Sequence, residues 1–114
     1  MSRYLKLRGA LEDGESPTLR VGGSSMEPVI KNGSTLTWKK TDDYQIGDIV
    51  FCKVGKNWID AHRITKIASD GRYMISNNKG WDNGWTRKIF GRVIAVNGIP
   101  FGRAIESPGD ERDL

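Results

Sequence analysis

The sequence predicts an all-β fold of antiparallel strands, on three observations: glycine punctuation, short β-branched and aromatic runs, and tight-turn dipeptides between the runs. Fourteen glycines break the 114 residues into segments of strand length. The first segment, 35–38, is Thr-Leu-Thr-Trp and follows the turn signal Lys31-Asn32-Gly33. The second, 48–54, is opened by Ile46-Gly47 and closed by Gly55, and the third, 58–67, follows Lys56-Asn57. A fourth, 72–75, comes after Asp70-Gly71, and a fifth, 88–96, ends at Asn97-Gly98. Valine, isoleucine, threonine and aromatic residues fit a pleated surface, while Asn-Gly and Asp-Gly adopt the positive φ that two-residue hairpin turns require. A β-meander with longer excursions follows, with at most one short helical turn, placed after the serines at 26–30.

Composition bounds the rest. One domain is expected over 1–105, large enough to bury a core without metal or disulfide staples, and 37% hydrophobic content makes that core modest. Cys52 is the single cysteine, so no intrachain disulfide forms, and with the single histidine it makes a poor metal set; no metal and no cofactor are expected. No run approaches the eighteen or so apolar residues of a membrane span, and the charged N-terminus lacks the apolar centre of a signal peptide. A soluble, cytoplasmic protein without stable membrane insertion is the expectation.

The formal charge of +4 is unevenly spread. Four acids against Arg112 give residues 106–114 a charge of −3 and leave +7 on the first 105. The tail is therefore expected to be acidic and disordered. Basic residues beside tryptophans, as in Trp38-Lys39-Lys40 and Trp85-Thr86-Arg87-Lys88, suit nucleic acid, where rings stack on bases and cations meet phosphates. No helix-turn-helix, zinc or RNA-recognition motif accompanies them, so a solvated strand face is the preferred reading and a basic binding module the alternative.

Chemistry concentrates in Gly23-Ser24-Ser25-Met26-Glu27-Pro28, which offers a hydroxyl on glycine-loosened backbone. A serine hydroxyl is a weak nucleophile near neutral pH and needs a base within hydrogen-bond reach; imidazole titrates near that pH without special tuning. His62 is the only imidazole in the chain. A carboxylate on its second ring nitrogen would fix the tautomer and stabilise the imidazolium. On spacing, Asp60 is a candidate, because residues i and i+2 of a strand share a face.

Five blocks in order carry a resemblance. Gly23 to Pro28, Tyr44-Gln45-Ile46-Gly47-Asp48-Ile49-Val50-Phe51, Ala61-His62-Arg63-Ile64, Asn77-Asn78-Lys79-Gly80-Trp81-Asp82-Asn83-Gly84 and Phe90-Gly91-Arg92-Val93 resemble the motif set of the signal peptidase and LexA-like serine peptidases. His-Arg stands where bacterial signal peptidases and LexA-type repressors have Lys-Arg, so the chain is most similar to the archaeal and endoplasmic-reticulum signal peptidases. The resemblance implies an antiparallel sheet with a coiled, partly barrel-like core, and serine endopeptidase activity on an extended polypeptide with small residues near the cut. It implies Ser25 as nucleophile, directly before Met-x-Pro, His62 as general base and Asp82 as the third catalytic residue, with Asp60 left as its rival on geometry. The position two before the nucleophile, a serine donor in bacterial relatives, is Gly23, so oxyanion donors are expected from the Ser25 N–H and the Ser24 hydroxyl. Val21, Met26, Phe51 and Ile59 are the candidates for substrate pockets. A phage-borne or soluble substrate is expected in the absence of a membrane anchor, and self-processing at Ala10 is a minor alternative.

Overall fold

Among the described residues, eight strands and one helix run in the order α1 (Arg3–Glu12), β1 (Thr18–Arg20), β2 (Thr35–Lys39), β3 (Ile49–Val54), β4 (Asn57–Ile67), β5 (Tyr73–Ser76), β6 (Asp82–Thr86), β7 (Lys88–Val96) and β8 (Ile99–Pro100). They are seen in a computed structural model that describes residues 2–104. The expected acidic tail lies outside the described residues. All pairings are antiparallel in the order β1-β2-β7-β3-β4-β5-β6, with β8 added to β7. The fold is all-β, and the five expected strands are present within a residue or two.

The sheet does not close into a barrel, but its β6 end curls back toward β3. The Thr86 hydroxyl donates to the Lys53 carbonyl at 2.6 Å, and a Cβ built on Gly84 would lie 3.2 Å from Val54. This curl explains why β3 is a continuous apolar run rather than an alternating one. Ile49 and Phe51 face a core shared with α1, Trp38 and Val93, whereas Val50 and Cys52 face a second core with Ile64 and Ile75. Both faces of β3 are covered, so alternation has nothing to report. Burial pushes the Cys52 thiol up to about 12, which leaves it an inert core group.

The N-terminal helix corrects the expectation of a single helical turn after the serines. Ser2 caps α1 by accepting from the Leu5 N–H at 3.2 Å, and Gly14 follows its end with φ 85. Tyr4, Leu7 and Leu11 make the inward stripe, and Arg8 pairs with Glu12 one turn on at 3.1 Å. Charges that look like punctuation in sequence thus belong to a helix that buries only Leu7 and Leu11. Its seat is Gly91, where an added Cβ would stand 3.0 Å from both Leu11 methyls. The region after the serines forms turns, with one i to i−4 hydrogen bond from Ile30 N–H to the Met26 carbonyl at 3.0 Å.

Candidate active site

Ser25 sits on a loop pinned from three directions. Met26 and Ile30 are buried in the core beneath it, and the Gly23 N–H donates to Asn32 Oδ1 at 2.9 Å. From the far side, Asn78 donates its backbone N–H to the Ser25 carbonyl at 3.0 Å and its side-chain amide to the Met26 carbonyl at 3.1 Å. Gly23 turns the chain with φ 94, a conformation a side chain would oppose. The hydroxyl is held by backbone that cannot drift far.

His62 lies on β4, paired with Val50 of β3, and its Nε2 is 3.0 Å from Ser25 Oγ. Its Nδ1 is 2.7 Å from Asn83 Oδ1. A carbonyl oxygen can only accept, so Nδ1 carries the proton and Nε2 presents its lone pair to the serine hydroxyl. That is the tautomer a general base requires. Burial holds the His62 pKa below its ordinary 6.5, opposed by the Asn83 contact and the Asp60 charge, so the ring is neutral at physiological pH.

The residue facing Nδ1 is therefore Asn83, one position beyond the expected Asp82. In the β5–β6 ladder Ile75 pairs with Gly84 and Ser76 with Asp82, which leaves Asn83 as the extra residue of a β-bulge. Bulges re-aim side chains, and this one turns Asn83 to the histidine. The Asp82 carboxylate instead accepts from the Ser76 hydroxyl at 2.6 Å, and Thr65 Oγ1 lies 2.9 Å from that same hydroxyl. Sequence reasoning missed Asn83 because a bulge is a property of pairing, invisible before the partner strand is known.

Asp60, the geometric rival, lines the same cleft but does not hydrogen-bond His62; its Oδ2 is 3.4 Å from Arg3 of α1. Ser24 is exposed, and its hydroxyl oxygen accepts from Lys79 Nζ at 3.2 Å, away from the residues that line the cleft.

Beside Ser25 and His62 opens a cleft of about 230 Å³. Of the pocket candidates, Val21, Met26 and Ile59 line it. Phe51 does not: it is wholly buried, stacked 5.7 Å from Trp58 and 6.2 Å from Tyr4. Those two rings, 5.5 Å apart and nearly parallel, line the cleft instead. Tyr4 was not expected because it comes from the unrecognised helix. Among the described residues, no cluster of three or more His, Cys, Asp or Glu could hold a metal, and no helix is long and apolar enough to cross a membrane.

No curated protein matches the chain. The sequence model of the family described as Peptidase S24-like matches residues 2–94, from the cap of α1 to β7, and so includes the Ser25 loop, His62 and the Asn83 bulge. With a match over most of its length, on an antiparallel sheet that brings a serine and a histidine together, the chain belongs to the Peptidase S24-like family.

Proposed function

We propose that the protein is a serine endopeptidase that cleaves an extended polypeptide after a small residue. The observation that carries this reading is the chain of contacts from Ser25 Oγ to His62 Nε2, at 3.0 Å, and from His62 Nδ1 to Asn83 Oδ1, at 2.7 Å, at the mouth of a cleft. Ser25 attacks the scissile carbonyl while His62 takes its proton, and the imidazolium then protonates the leaving amine. Water, activated by the same ring, hydrolyses the acyl-enzyme. Asn83 keeps the ring in the reactive tautomer, in the role an aspartate or asparagine plays in other nucleophile–histidine sites. The Ser25 N–H is the proposed oxyanion donor, since Ser25 lines the cleft and Ser24 does not.

Small residues suit the cleft because Val21, Met26 and Ile59 make its apolar floor and the Tyr4–Trp58 stack bounds it. Ala10, the candidate for self-processing, lies inside α1, and a helical segment must unwind before it can lie extended beside Ser25. The test is cleavage of a peptide library by wild type and Ser25→Ala. Site-specific cuts after small residues, lost in the variant, support the proposal; equal, negligible cleavage by both would sink it and favour a binding module of the same fold.

A further inference from the structure

The partner of His62 Nδ1 is a neutral amide, which favours the charged ring through its hydrogen bond but carries no formal charge to set against the one acquired when Ser25 attacks. The acid closest in sequence is Asp60, two residues earlier on the same strand, within the irregular stretch of the β3–β4 register, and both residues line the cleft. Its Oδ1 is buried without a hydrogen-bond partner among the described residues; the carboxylate's other partners are Arg3, 3.4 Å from Oδ2, and the Tyr4 phenol. A buried carboxylate oxygen lacking donors is costly, and its energy falls when a cation appears nearby.

The other charges around His62 are already engaged. Asp82 is held by Ser76, Lys79 by Ser24, and Arg63 by the Gly47 carbonyl and Asn78, while β3 presents the apolar Val50. Asp48, just before β3 and two residues from Val50, is paired with Arg103. From α1 come Tyr4, whose phenol burial and the Asp60 charge both push upward, and Arg3.

We propose that Asp60 is the through-space counter-charge for the His62 imidazolium and that Arg3, on the N-terminal helix, attenuates it. The proposal rests on the reading of Ser25 and His62 as the reacting pair. Asp60 acts through His62 and touches no reacting atom, so it is a positioning residue. It adds a full negative charge to the stabilisation that the Asn83 amide gives the charged ring through its hydrogen bond.

Because the chain holds one histidine, its ring protons can be titrated by NMR without reference to activity. Asp60→Asn is expected to move the His62 titration to lower pH, and Arg3→Gln, on a half-exposed residue, to higher pH. In the double variant the effect of Arg3→Gln should shrink. On the alkaline side of the titration, Asp60→Asn should lower kcat/KM on the order of 10-fold, with the acid limb of the profile following the NMR shift. An unmoved titration in both single variants, or both shifts in one direction, overturns the proposal. If Asp60→Asn fails to fold, the upward shift in Arg3→Gln supports the proposal and its absence overturns it. A protein that cleaves no peptide would end the peptidase reading while the titration still reports whether Asp60 and His62 are coupled.

Discussion

Asn83 Oδ1 lies 2.7 Å from His62 Nδ1, while the neighbouring Asp82 accepts from the Ser76 hydroxyl. The register leaves one extra residue between Asp82 and Gly84, and that bulge residue, Asn83, is the one that meets the histidine. Under the proposed function, this relationship separates an orienting residue from a structural one at two consecutive positions.

Substitution of the reacting pair tests the centre itself. Ser25→Ala and His62→Ala should each reduce kcat by about 10⁴-fold, non-additively in the double variant, because the two act as one unit. Circular dichroism should be unchanged, since neither side chain belongs to the core clusters.

Asn83→Ala removes the acceptor that fixes the tautomer and should lower kcat by about 100-fold with little change in KM. Asn83→Asp should retain activity and shift the acid limb of the rate profile to higher pH, because a carboxylate stabilises the imidazolium. Full activity in Asn83→Ala would refute the assignment.

Asp82→Asn weakens the hydrogen bond from Ser76, a nearly buried group, and should cost about 1–2 kcal/mol in denaturant unfolding. Its kcat should stay within about threefold of wild type. A loss of activity as large as that of Asn83→Ala would return the orienting role to the aspartate.

The pH dependence follows from burial of His62. Its pKa lies below 6.5, so the base remains neutral as pH falls through that value, and the acid limb of kcat/KM should have its midpoint below pH 6.5. The sign for stability is the same. The unfolded chain binds this proton more readily than the folded one, so the contribution of His62 is present above pH 6.5 and lost as pH falls below it. His62→Gln should remove that part of the dependence, measured as Tm against pH.

Leu11 is wholly buried between α1 and β7, against Gly91. Leu11→Ala should destabilise the fold by about 2–5 kcal/mol in urea or guanidinium unfolding. Because Tyr4 on the same helix lines the cleft, KM for peptides should rise before kcat falls.

Much of this protein could be read directly from its residues. Thr35–Lys39, Ile49–Val54 and Lys88–Val96 are β-branched runs bounded on at least one side by a glycine turn, and local chemistry suffices to make them strands. Ser25 and His62 stand out because the chain has one imidazole and one Ser-Met-x-Pro loop, and their pairing needs only that β4 returns past that loop. Other features depend on partners distant in sequence. Helix α1 was hidden because its apolar stripe is three residues wide and gains its stability by docking on Gly91, some eighty residues away. Phe51 looked like a pocket residue and proved to be core, since only packing reveals that both faces of β3 are covered. Composition and spacing determined the all-β class and the serine and histidine that meet. Tertiary structure alone decided what stands behind the histidine, because strand register and a single bulge, rather than residue type, choose between Asp82, Asp60 and Asn83.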